Sequence, residues 1–148
     1  MARIEGEYVP STSEWVRNQI ELYERTGGQE GRSLPNTDMA CIIVTMRGAK
    51  SGNVRKIALM RVEHEGSYAL VASKGGHPSN PEWYWNLKAN PTEVTVQDGP
   101  EPFWVDVREV DGAEYDEWWE RSVKAFPNYA EYKAKTDRTI PLLVATPR

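Results

Sequence analysis

Val71-Ala72-Ser73-Lys74-Gly75-Gly76-His77-Pro78-Ser79-Asn80-Pro81-Glu82-Trp83-Tyr84-Trp85-Asn86-Leu87 joins an apolar strand to a helix through a loop suited to an anion. Gly75 and Gly76 accept backbone angles closed to other residues, so successive N–H groups can converge on an oxygen while Lys74 brings charge. Asn80 stands at an N-cap position and Pro81 at a first helical position, which predicts a helix whose positive dipole end faces the loop. Asn90-Pro91 ends that helix, because the residue before a proline is pushed out of helical geometry. Taken alone, Lys-Gly-Gly reads better as an ordinary glycine turn before a capped helix. The flanking segments have to decide.

Upstream, Ser11 and Glu14 have capping-box spacing and Val16, Ile20 and Tyr23 share a helix face with Trp15 beside them, until Gly27-Gly28 stops the helix. Residues 27 to 38 are polar and glycine-rich and read as a loop. Strands are expected at 39–46, 54–62 and 67–73, the last two joined by a short turn at Glu63-His64-Glu65-Gly66. Downstream, 92–97 and 103–110 form a strand pair around Asp98-Gly99-Pro100. Asp111 with Glu114, then Asn128 with Glu131, mark two further helices separated by Pro127, and 140–145 is a last short strand. Mostly consecutive strands with helices at the ends and one inserted midway predict a mainly β, α+β fold: a small antiparallel barrel flanked by helices. The whole chain, 1–148, reads as one domain, with 1–38 its N-terminal helix and loop.

Composition narrows the chemistry. Six tryptophans and seven tyrosines in 148 residues serve cores, ring-stacking pockets and interfaces alike, and are compatible with a flat aromatic ligand. A formal charge of −4 argues against a nucleic-acid partner, whose phosphates are neutralised by Lys and Arg. Cys41, the one cysteine, lies in the apolar run Met39-Ala40-Cys41-Ile42-Ile43-Val44 and reads as a buried, inert thiol. His64 and His77 have no metal-like partners at short spacing, His64 is expected on the surface, and no nucleophile elbow or dinucleotide fingerprint is present. No metal is expected. With neither a signal peptide nor a membrane span, the expected compartment is the cytoplasm, with peripheral membrane contact and oligomeric state left open.

One segregation of charge stands out. From Arg47 to Arg61 the chain carries Arg47, Lys50, Arg55, Lys56 and Arg61 and no acid, although acids outnumber bases overall. The turn Arg47-Gly48-Ala49-Lys50-Ser51-Gly52 lets Lys50 and Arg55 converge on an anion from either side. The bland alternative is a solvated hairpin edge whose charges discourage strand pairing. Two anion-suited loops on neighbouring strands, in a chain short of acid and base machinery, point to an enzyme whose bound cofactor does the chemistry.

The order Gly48-x-Lys50-Ser51-Gly52-x-x-Arg55, Ala72-Ser73-Lys74-Gly75-Gly76, Asn80-Pro81-x-Trp83-Tyr84-x-Asn86-Leu87-Lys88-Ala89-Asn90-Pro91, Pro127-x-Tyr129-x-x-Tyr132 and Asp137-Arg138-x-Ile140-Pro141 resembles the deazaflavin-dependent nitroreductase family of actinobacteria. The resemblance implies a split β-barrel that binds coenzyme F-420, an 8-hydroxy-5-deazaflavin, and passes a hydride from its reduced form to an organic acceptor, a quinone above all. It implies that Lys50 and Arg55 hold the phosphate and acidic tail, and that Ser73, Lys74, Gly75 and Gly76 contact the ring and linker. Trp83 and Asn86 become wall and brace of the same pocket. Tyr129, Tyr132 and Ser73 border the acceptor, with Ser73 and Tyr129 the catalytic candidates and Met60 and Phe126 beside them. Ala49 replaces a frequent arginine, so a tail contact is expected to be lost or to move to Arg47. Ala58-Leu59 replaces the usual Pro-Leu. Met60 and Phe126 each lack the hydroxyl of the tyrosine that prodrug-reducing members carry, which favours an apolar quinone-like ring over a nitroimidazole. Two alternatives stay open: a non-catalytic carrier of the deazaflavin, and a relative that binds FMN in a similar barrel.

Overall fold

The computed structural model describes residues 2–33 and 39–148. The sequence-based loop at 27 to 38 therefore lies partly outside the described residues. Seven strands form one antiparallel sheet: β1 (Cys41–Arg47), β2 (Val54–Met60), β3 (Glu63–His64), β4 (Ser67–Val71), β5 (Val94–Gln97), β6 (Pro102–Glu109) and β7 (Leu142–Pro147), in the order β2-β1-β5-β6-β7-β4-β3. Four helices flank it: α1 (Glu14–Thr26), α2 (Glu82–Ala89), α3 (Gly112–Ala125) and α4 (Asn128–Lys135).

The apolar runs of β1 and β7 follow from burial on both faces, which leaves no solvated side to alternate with. Ile42, Val44, Met46, Leu70, Val94, Val96, Val105 and Leu143 point into the concave side, which Tyr84 and Leu87 of α2 close. Cys41 and Ile43 face the opposite way, under Ile20 and Tyr23 of α1. Val71, Leu142 and Val144 on the same outer side lie under Trp118 of α3 and Tyr129 of α4. Burial pushes the Cys41 thiol up to about 11, in keeping with an inert side chain.

One expectation fails at 61–66. The turn expected between β2 and β4 is a crossing: β2 is one edge of the sheet and the two-residue β3, paired with β4, is the other. Two residues separate β2 from β3, so the sheet has to curl until its edges meet. Arg61 N–H bonds to Ala40 O at 2.9 Å and Ala69 N–H to Val62 O at 2.9 Å at this closure. Arg61 and the Tyr68 hydroxyl both reach Asp98 there. The result is a split barrel. His64, expected on the surface, is partly covered, its ring edge-on to Trp118.

Capping also departs from the sequence pattern. α1 begins at Glu14, and Ser11 Oγ accepts from Ser13 N–H instead of from the helix. Asp111 N-caps α3 by position without a side-chain bond, while Glu114 pairs with Arg108. Pro127, not Asn128, stands before α4.

A polar bond ties α2 to the sheet. The Tyr84 hydroxyl donates to Glu109 Oε1 at 2.6 Å, and Lys88 Nζ donates to the same oxygen at 2.9 Å. Burial and then this bond push the Tyr84 phenol up to about 12. Burial alone would raise Glu109, but the bonds from Tyr84 and Lys88 outweigh it and hold the carboxyl below its ordinary value. Tyr84→Phe is expected to cost about 1–2 kcal/mol at pH 7, because the ring packing survives and one hydrogen bond to a charged group is lost. A carboxyl with a depressed folded value stabilises above the ordinary carboxylate range and loses that stabilisation as pH falls through the folded value. Urea unfolding of parent and variant should thus show the difference at pH 7 and its shrinkage in acid.

Candidate functional site

The β1–β2 turn, the start of α1 and the first turns of α2 enclose a cavity of about 390 Å³. Lys50, Arg55, Trp83 and Asn86, four of the residues singled out in the sequence, line it together. Asn86 Oδ1 accepts from Ala49 N–H at 2.9 Å, so α2 braces the hairpin turn directly. Met46, Ile57 and Trp83 give the cavity an apolar floor, and the exposed indole of Trp85 adds a wall. Ser11, just before α1, and Val16 within it complete the lining, a contribution that no local sequence signal announces.

The electrostatics of the acid-free hairpin resolve into two groups. Arg47 pairs with Glu93, Lys56 with Glu24 at 2.7 Å and Arg61 with Asp98 at 2.9 Å. Lys50 and Arg55 have no carboxylate partner among the described residues, and both face the cavity. Glu82, the one acid on the lining, makes no ion pair with either. Arg47 also donates to Gly52 O and Glu5 O at 2.8 Å each. It is thus occupied in holding the turn and the N-terminal segment.

Ser73, Lys74 and Gly76 do not line this cavity. They leave the end of β4 as a buried serine followed by a single 3-10 turn, Lys74–Gly76, closed by Gly76 N–H on Ser73 O and His77 N–H on Lys74 O. The turn packs against α4. The chain runs on from it through Pro81 into α2, which links the turn to the cavity wall. Asn80 does not cap α2 as its position suggests: Pro81 precedes the helix, and Asn80 Oδ1 accepts from Arg138 Nη1 at 2.8 Å.

Met60, Phe126, Tyr129 and Tyr132 fall in one cluster on the convex side of the sheet. The Phe126 and Tyr129 rings meet edge-to-face at 4.9 Å, and Tyr129 and Tyr132 lie 6.3 Å apart. Met60 and Tyr129 are buried, whereas Phe126 and Tyr132 keep partial exposure. Burial raises the Tyr129 phenol well above the usual phenol range, so this hydroxyl keeps its proton at any physiological pH and can only act as a neutral donor or acceptor. No described helix is long and apolar enough to cross a membrane.

An uncompensated pair of cations beside an apolar, aromatic-walled cavity fits an anionic ligand with a flat ring system. Comparison with known proteins agrees. An F420H(2)-dependent quinone reductase of Mycobacterium tuberculosis is 35% identical over 136 residues, 90% of this chain and 90% of that protein. A solved structure described as an F420-H2 dependent reductase, FDR-A, is 52% identical with a TM-score of 0.67, covering 71% of this chain and 92% of that one. Another, described as a domain-swapped dimer, is 47% identical with a TM-score of 0.70 over 91% of this chain and 99% of that one. The family profile for F420H(2)-dependent quinone reductase matches residues 15–147. The chain therefore belongs to the F420H(2)-dependent quinone reductase family, oxidoreductases in which reduced coenzyme F-420 is the hydride donor and a quinone the acceptor.

Proposed function

We propose that the cavity between the β1–β2 turn and α2 holds the phosphate and acidic tail of coenzyme F-420, with Lys50 and Arg55 as counter-charges and Trp83 and Asn86 as wall and brace. The observation that carries this reading is the survival of those two cations without carboxylate partners, where the other three of the hairpin are neutralised. An unpaired charge held at a cavity is a standing attraction for the opposite charge. In this reading the Ser73–Gly76 turn holds the ring, and Ser73, Met60, Phe126, Tyr129 and Tyr132 border the acceptor.

When bound, the reduced coenzyme supplies the hydride. The protein's own contribution is to hold ring and acceptor at reacting distance and to keep water from the transfer. Tyr129, kept protonated by burial, is suited to donate a hydrogen bond to an acceptor oxygen as negative charge develops on it. Met60 and Phe126 present a thioether and a phenyl ring where polar contacts would suit a nitroimidazole, so the nitroreductase side of the resemblance gives way to an apolar quinone. The chain is one domain, 1–148, acting in the cytoplasm.

Kinetics with menadione and a bicyclic nitroimidazole side by side test the acceptor. Menadione should be reduced faster. Tyr129→Phe should leave coenzyme affinity nearly intact and lower quinone turnover by roughly ten- to a hundredfold, the loss of one hydrogen bond to a developing charge. Preference for the nitroimidazole, or a Tyr129→Phe protein as active as the parent on both, would overturn the assignment.

A further inference from the structure

Arg138 lies between α4 and β7, and all four hydrogen bonds of its guanidinium go to one stretch of chain. Nη2 donates to Ala72 O at 3.2 Å and to Ser73 O at 2.9 Å, just before the 3-10 turn. Nε donates to His77 O at 2.9 Å just after it, and Nη1 to Asn80 Oδ1 at 2.8 Å before α2. Arg47, Arg61, Arg108 and Arg148 each pair with a carboxylate, whereas Arg138 has none among the described residues. Its charge is balanced by neutral acceptors alone, and those acceptors span the end of β4, the turn and the entry to α2. A planar fork with five fixed donors can bridge such a set, and an ammonium cannot.

A second contact fixes the other side of the turn. A Cβ on Gly76 would lie 2.8 Å from Tyr132 O and 3.1 Å from Lys135 Cβ, so the turn apex rests on the backbone of α4. Tyr129 and Tyr132 stand on that helix. The turn is thus held from one side by Arg138 and pressed from the other onto the helix that carries the acceptor tyrosines. Trp83 and Asn86, at the start of α2, depend on the same anchor through Asn80.

We propose that Arg138 is a positioning residue for hydride transfer: by tying Ala72, Ser73, His77 and Asn80 together, it sets the Ser73–Gly76 turn against α4 and against the cavity wall. This rests on the reading of the turn as the ring-holding element. Loss of the fork should affect the alignment of the reacting partners more than the capture of the coenzyme tail, which Lys50 and Arg55 govern.

The test uses the full chain with Arg138→Ala, Arg138→Lys and Asn80→Ala. Single-turnover oxidation of reduced coenzyme by menadione is measured at saturating coenzyme, alongside coenzyme affinity, the KM for menadione and thermal midpoint. The single-turnover rate should fall tenfold or more in both Arg138 variants, with the KM for menadione within about twofold of the parent. Lysine should fail to rescue, millimolar guanidinium should restore part of the rate to Arg138→Ala, and Asn80→Ala should show a smaller loss of the same kind. Should Arg138→Ala not fold, Arg138→Lys and Asn80→Ala carry the same expectations. A parent-like single-turnover rate in the lysine variant, or losses confined to the thermal midpoint, would overturn the proposal while leaving the coenzyme reading intact. A parent chain that neither binds nor oxidises reduced F-420 would instead overturn that reading.

Discussion

Replacing both Lys50 and Arg55 by alanine should weaken the binding of coenzyme F-420 at least roughly thirtyfold, with little change in the stability of the free protein. Each side chain is assigned one charge-assisted bond to an anionic ligand, worth about 1–3 kcal/mol. Neither makes an ion pair among the described residues, so their removal takes away no described intramolecular partner. It also relieves the repulsion between two cations on one cavity. Exposure of Lys50 to solvent makes the attraction screenable, so affinity of the parent should fall as salt rises and the variant should be less sensitive. Lys56→Ala is the contrasting case, because its charge is already spent on Glu24. Fluorescence titration of the coenzyme checks all three. Equal affinity in parent and double variant would return the hairpin to a solvated edge.

Gly76→Ala should destabilise the fold by about 2–4 kcal/mol, through left-handed backbone strain and a steric overlap that cannot relax cheaply. The backbone angle φ is +83° there, and the new methyl would meet the Tyr132 carbonyl at 2.8 Å. Gly52→Ala supplies the control. Its φ is +74°, yet a Cβ would find nothing within 4 Å, so strain alone remains, about 1–2 kcal/mol. Denaturant unfolding of the two variants separates the terms. A Gly76→Ala protein no less stable than Gly52→Ala would show that the turn does not press on α4 as described.

What the sequence made legible was local. Apolar runs announced β1, β4 and β7, glycines and prolines marked the breaks, and Asn90-Pro91 closed α2 within a residue of its observed end. The barrel and the motif order were readable because each motif sits inside one element or turn. The rest depended on partners far away in the chain. Asn80 was a natural cap until a guanidinium 58 residues later claimed its oxygen. The turn pointed to Lys50 and Arg55 among the five hairpin cations, but acids 32 to 46 residues distant decided that the other three are neutralised. The crossing from β2 to β3 has no local signature, since edge pairing is chosen by the whole sheet. Arg138 was visible only as part of a motif, and its role emerges from four acceptors that the fold assembles.

We propose that this chain turns over reduced coenzyme F-420 on a quinone with the cavity beside α2 and the Ser73–Gly76 turn. The direct measurement is oxidation of a large molar excess of reduced F-420 by catalytic protein with menadione, followed by absorbance. Many turnovers per chain are expected in the parent, with a rise in the coenzyme KM for the Lys50, Arg55 double variant. Oxidation that stops at one equivalent, or tight binding with no turnover across a panel of quinones, would contradict it.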